Sequence, residues 1–283
     1  MAWLFYVALT GGSLSLAWLG LEQGWSHLAT ALGIGAGVAV LVAALERALP
    51  YRPDWLRSHG DLRTDVLHVL VSTGLALGGR WFSALAFGEV RSEANVSAAW
   101  PTGLPVAIQV VLALLVTELA GYWVHRAQHE IPALWRLHSI HHSAPRLYWL
   151  NQMRSHPLDA IISGLAVVPA VVLGAPEPVL ALLAALTSAH LTLQHSNIEI
   201  RLGPLNWLLS MSEVHRWHHS VRPDEANRNY GGVLLLWDVL FRTRLFPRER
   251  RAPAATGVSM SGFPTGYLAQ LASPLSKRLW AHR

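Results

Sequence analysis

The chain of 283 residues has no cysteine, which excludes disulfides, thiolate zinc sites and cysteine-ligated iron–sulfur clusters. Charge is scarce as well: Asp, Glu, Lys and Arg supply 14% of the residues against 52% hydrophobic ones, and mean hydropathy is +0.31. A composition so poor in charge belongs to a membrane protein rather than to an ordinary soluble domain. No flavin or nicotinamide fingerprint, heme-binding segment, long repeat or low-complexity linker is present. The net charge of +5 and the pI of 10.1 would suit a nucleic-acid binder. The arginines, however, lie in loops beside apolar runs, and no basic-aromatic module accompanies them, so no nucleic-acid partner is expected.

Long apolar runs are plentiful. Four predict transmembrane helices at 3–22, 28–46, 64–88 and 104–124, each long enough for a hydrocarbon core of about 30 Å. The first has no basic n-region and is expected to remain as a helix rather than leave as a signal peptide. A fifth stretch, 158–189, is broken by "LGAPEP" at 173–178 and predicts a membrane hairpin. "GIGAG" at 33–37 has GxxxG spacing without a phosphate-binding context, which predicts helix packing. Loop 47–63 carries Arg47, Arg52, Arg57 and Arg63, loop 21–27 has no Lys or Arg, and loop 89–103 has only Arg91. The positive-inside rule then makes 47–63 cytoplasmic, and with it both termini and everything after residue 124, as for a protein of the cell inner membrane. Trp3, Trp18, Trp25, Trp81, Trp100 and Trp123 fall near span ends, as an interfacial belt requires.

Of the 15 histidines, 11 lie between 125 and 219. They come in sets: "HRAQH" (His125, His129), "HSIHH" (His138, His141, His142), His156, "HLTLQH" (His190, His195) and "HRWHH" (His215, His218, His219). On a helix, residues four apart differ by about 40° and residues three apart by about 60° in the other sense, so each set is expected to offer its nitrogens to one centre. Crowded protonated imidazoles repel, whereas neutral ones share a cation. With no cysteine available, imidazole leaves zinc, copper, iron and nickel open. The number of ligands argues for two metals, and a dinuclear iron site fits best, with zinc as a substitute. A zinc hydrolase using Glu130 or Glu213 as base would leave most histidines unused. A metal transporter would place ionisable groups near the midplane of several spans.

The run "TELAGYWVHRAQHEIPALWRLHSIHHSAPRLYWLNQMRSHPLD", with "LQHSN", "SEVHRWHHS" and "NYGGVLLLWDVLF" after it, resembles the fatty acid hydroxylase and sterol desaturase superfamily of integral membrane di-iron enzymes. The resemblance covers residues 115–246. It implies an all-α fold, a membrane domain of four long helices and a hairpin capped by a cytoplasmic helical bundle. It also implies O2-dependent hydroxylation, or desaturation, of a lipid such as a sterol, a fatty acyl chain or an amino lipid. Electrons would come from an external cytochrome, ferredoxin or reductase. Carried over by motif, the two irons fall to His125, His129, His138, His141, His142, His190, His195, His215, His218 and His219. His190 and His195 are five apart, about 140° on a straight helix, so a shared centre needs a break between them. Gln194, on the face of His190, is expected to be a hydrogen-bonding neighbour. Supporting roles fall to His156, Asn229 and Asp238, with Tyr230 beside them, and Arg242 stands where relatives often have Gly. Glu118 shares a helix face with Tyr122, His125 and His129, and is expected to accept a hydrogen bond from the second nitrogen of a ligand histidine. These features divide the chain into an N-terminal transmembrane region (1–103), a catalytic region (104–246) and a basic tail (247–283).

Overall fold

The computed structural model describes residues 2–75, 99–247, 249–250 and 252–281. Helix α1 (Ala2–Glu22) and helix α2 (His27–Ala48) form an antiparallel pair. Gly24, at φ +65°, makes the turn, and the Ser26 side chain caps α2 by accepting from Ala29 N. Both helices leave large apolar side chains, such as Val7, Leu16, Val40 and Leu41, on the outside. In water such a surface would be costly; in a bilayer it is the solvent-facing side.

Helix α3 occupies residues 62–75. It opens the third expected span, whose remainder, 76–88, lies outside the described residues, as do Trp81 and Arg91. Helix α4 (Val106–Glu130) is about 37 Å long and crosses with length to spare. Pro132 then sets the first turn of α5 (Pro132–His142), and Ile131, extended at φ −93° and ψ 116°, makes the corner between the two. The expected hairpin is present. Helices α6 (Pro157–Gly164) and α7 (Val168–Val172) run into a turn at Gly174, φ +90°, and α8 (Glu177–His195) returns. The 157–172 arm spans about 24 Å, too short to cross.

Helix α8 packs against α1, α2 and α4, with Val179, Leu182, Leu183, Ala189 and Leu193 buried at the centre. Over one end of this bundle lies a cap built from α5, the 143–156 loop, α9 (Ser212–His218), α10 (Pro223–Ala226) and α11 (Leu236–Leu240). Helix α12 (Tyr267–Ala272) follows near the C-terminus. No strand occurs among the described residues, only isolated bridges such as Leu209 with Leu234. The protein is an all-α membrane protein.

Buried polar groups fasten the cap to the bundle. Glu46, near the end of α2, accepts from Trp149 N and Asn197 N at 2.8 Å each. Arg146 forks onto Asp61 at 2.8 and 2.9 Å, and Arg154 donates to Asp65, which also accepts from Tyr148 Oη at 2.7 Å. Removing one member of such a buried pair strands its partner, at a cost of about 3–5 kcal/mol.

Candidate metal centre

Nine histidines meet where α4, α5, the end of α8 and α9 converge. They form two groups: His125, His129, His138, His142 and His218 in one, and His141, His195, His215 and His219 in the other. Within each group the ligand-capable nitrogens all lie within 4.8 Å of one another. Seven of the nine are buried, and His125 and His141 are half-buried.

The expectation that each sequence set serves one centre is corrected here. Adjacent helical residues differ by about 100°, so "HSIHH" sends His138 and His142 to the first group and His141 to the second. "HRWHH" does the reverse, sending His215 and His219, four apart, to the second group and His218 to the first. The groups touch through His142 and His219, whose rings stack at 4.4 Å.

Hydrogen bonds on the far side of the rings fix several tautomers. Nδ1 of His125 donates to Tyr230 O at 2.7 Å, Nδ1 of His218 to Arg228 O at 2.7 Å, and Nδ1 of His141 to Arg154 O at 3.1 Å. Nδ1 of His138 faces Asp159 Oδ2 at 3.1 Å, and Nδ1 of His129 faces Asn227 Oδ1 at 3.1 Å. A carbonyl only accepts, so these Nδ1 atoms carry the proton and the Nε2 atoms present lone pairs. Those lone pairs face each other. His125 Nε2 lies 3.1 Å from His138 Nε2 and 3.0 Å from His218 Nε2, and His129 Nε2 lies 3.1 Å from His142 Nε2. In the second group, His215 Nε2 is 2.9 Å from His195 Nε2 and 3.0 Å from His219 Nε2.

Converging lone pairs repel unless a cation lies among them. For metal–nitrogen bonds of about 2.1 Å, ligands at right angles are about 3.0 Å apart, which is the spacing found. Burial, followed by neighbouring imidazoles, holds His138, His142, His215, His218 and His219 well below the ordinary histidine range and lowers His141 to about 3. Neutral imidazoles are what a metal ion needs.

The other expected site residues are placed as follows. His190 stands apart from both groups, its ring between Ser210 O at 3.0 Å and Tyr6 Oη at 3.3 Å. The helix does not break between it and His195, so the 140° separation persists. Gln194 is a hydrogen-bonding neighbour, donating to Ser210 O and Gly232 O at 2.6 Å each. His156 caps α6, its Nδ1 accepting from Leu158 N at 3.1 Å. Glu118 makes no hydrogen bond to a histidine among the described residues; this corrects the expectation for it. Its carboxylate accepts from Val233 N and Leu234 N at 2.8 Å each, because the 231–234 turn brings two free amides to α4. Gly231 permits that turn: a Cβ there would sit 2.0 Å from Leu234 O. Asp238 accepts from Tyr230 N and Gly231 N at 2.8 Å, and Asn229 exchanges hydrogen bonds with both backbone groups of Leu245. Together they hold the 228–230 carbonyls that orient His125 and His218.

Sequence reasoning missed Asp159, Asn227 and Asn151, which hold ring nitrogens, and the Asp61–Arg146 and Asp65–Arg154 pairs behind them. Asp159 lies within "SHPLD", but nothing in that spacing says that α6 turns it toward His138.

Comparison with known proteins agrees with this geometry. The fatty acid hydroxylase family matches residues 110–243, a stretch that contains all nine clustered histidines. An ornithine lipid hydroxylase, OlsE, of Rhizobium tropici is 37% identical over 245 residues, 84% of this chain and 73% of that protein. Alkylglycerol monooxygenases of Danio rerio and Homo sapiens are 31% and 30% identical over 47% and 46% of this chain, which spans only 29% of either. No solved structure matches.

Proposed function

Because the chain belongs to the fatty acid hydroxylase family, we propose that it is a membrane-bound di-iron oxygenase that hydroxylates a C–H bond of a lipid, an ornithine lipid being the first substrate to test. The observation that carries the reading is the pair of adjoining histidine groups with inward lone pairs. The similarity to OlsE over most of both chains supports the choice of substrate class.

His125, His129, His138, His142 and His218 would hold one iron, and His141, His195, His215 and His219 the other. Bound iron would supply the activation of O2, with electrons from an external donor, needed to attack an unactivated C–H bond. The chain's own contribution is positional. Carbonyls 154, 228 and 230, with Asp159 and Asn227, keep the far ring nitrogens protonated and the rings aimed. Glu118 and Asp238 stiffen the 228–234 segment from opposite sides. The apolar spans let a lipid approach laterally, while the cap keeps bulk water from the nitrogens. The catalytic region is 104–246. The arginines of loop 47–63 support a metal face on the cytoplasmic side of the inner membrane.

Metal content of the detergent-purified protein tests this directly. Wild type should carry about two irons per chain, and a variant with His141→Ala and His218→Ala, one residue from each group, should carry none. With O2 and a reductant, wild type should add one oxygen atom to ornithine lipid, and the variant should not. A single zinc, or metal retained by the variant, would remove the di-iron reading.

A further inference from the structure

The C-terminal segment 264–280 takes no part in either histidine group, yet it is fastened to the bundle. Thr64 Oγ1 donates to Thr265 O at 2.8 Å, and the Gln270 carboxamide lies 2.9 Å from His68 Nε2. The Tyr267 ring meets His68 edge-on at 4.7 Å. At the other end, Trp280 is buried, donates to Ser273 O at 2.8 Å and lies under the Arg136 guanidinium of α5. The segment is therefore a strap from the first two turns of α3 to the helix that carries His138, His141 and His142.

Its outer face is unusual. Leu268 is 77% and Leu275 86% exposed. Two large apolar side chains held outward on a fixed strap call for an apolar neighbour. Lys277, Arg278 and Arg136 are exposed beside them. On α3, the exposed Leu62, Val66 and Leu70 lie one turn apart on the side opposite Thr64 and His68, the residues that hold the strap.

We propose that this strap is an interfacial anchor seated on the anionic headgroup surface of the bilayer, with Leu268 and Leu275 in the acyl boundary and Lys277, Arg278 and Arg136 at the phosphates. Outward-held leucines rimmed by cations are the chemistry of a surface-lying membrane segment. Two like-charged residues after Leu275 fit an anionic lipid surface better than they fit a second copy of this basic chain.

Because the chain has no cysteine, single labels can be placed without background. Nitroxides at Leu268→Cys and Leu275→Cys, in full-length protein reconstituted in vesicles of phosphatidylcholine with phosphatidylglycerol, would be compared with Leu70→Cys and with Ala254→Cys, an exposed position away from the strap. Labels at 268 and 275 should collide with oxygen more than with a water-soluble nickel chelate, as at 70, and the label at 254 should do the opposite. Adding Lys277→Glu and Arg278→Glu should shift the 275 label toward the nickel chelate, most in the anionic vesicles. Labels at 268 and 275 that behave like the one at 254, or that are shielded from both probes as in a protein interface, would overturn the proposal. Neither result depends on metal content, so it is separate from the test of the oxygenase reading.

Discussion

The two histidine groups share a wall of stacked rings but are supported very differently. In the five-histidine group, four of the five outer ring nitrogens have partners: Tyr230 O, Arg228 O, Asn227 and the Asp159 carboxylate. In the four-histidine group, among the described residues, only His141 has a close one, at Arg154 O; His195 lies 3.4 Å from Asn151, and Nδ1 of both His215 and His219 has none. Outer partners fix ring orientation and raise ligand basicity. A carboxylate on one side only predicts that the five-histidine group binds metal more tightly than the four-histidine group.

The strongest test of this contrast removes one ligand from each side. His218→Ala and His215→Ala should each lower metal from about two to about one per chain, read by mass spectrometry. Loss of both metals from either variant would make the groups a single site.

Next in size, Asp159→Asn should weaken metal at the five-histidine group by about 10–100-fold while leaving the other group's affinity unchanged. Competition with a chelator would show one fast and one unchanged release phase; two changed phases would dissolve the contrast.

Acid probes what the groups share. The cap histidines are neutral when folded and have pKa values depressed below 6.5, so in metal-stripped protein the unfolded state binds more protons as pH falls. Stability is present above 6.5 and lost below it, with a slope of up to about 1.4 kcal/mol per pH unit for each such histidine. Thermal unfolding temperature should fall steeply between pH 7.5 and 5 for stripped protein, and in parallel from a higher start for metal-loaded protein, whose imidazoles are likewise unprotonated when folded.

The smallest effect concerns the turn beneath the five-histidine group. Arg242 adopts φ +60°, the left-handed conformation that glycine takes without strain. Arg242→Gly should stabilise the protein by about 0.5–1 kcal/mol, without altering metal affinity on either side. The turn after Phe241 is thus a left-handed one, held by a residue less suited to it than glycine.

Much of the molecule was legible because membrane helices are written in composition. The runs at 3–22, 28–46 and 104–124 coincide with α1, α2 and α4, and "LGAPEP" marks the hairpin turn, since a bilayer tolerates few other arrangements of apolar chain. The clustered histidines were legible because so many imidazoles at helical spacing have few other uses. Less legible were the partners. Glu118, in phase with His125, turned out to hold backbone amides, and the role expected of it fell to Asp159, 34 positions beyond His125. Helical phase gives the direction in which a side chain points, whereas what stands there depends on how α6 and the 231–234 turn fold back.

By itself, then, the sequence determined an all-α membrane protein with a histidine-rich cluster free of cysteine, because hydropathy and residue type are local properties. The division of nine histidines into two seats, the splitting of "HSIHH" and "HRWHH" between them, and the isolation of His190 were decided by the tertiary structure. Each depends on the crossing of α4, α5, α8 and α9, and the ring nitrogens come to 3 Å spacing only when all four helices are in place.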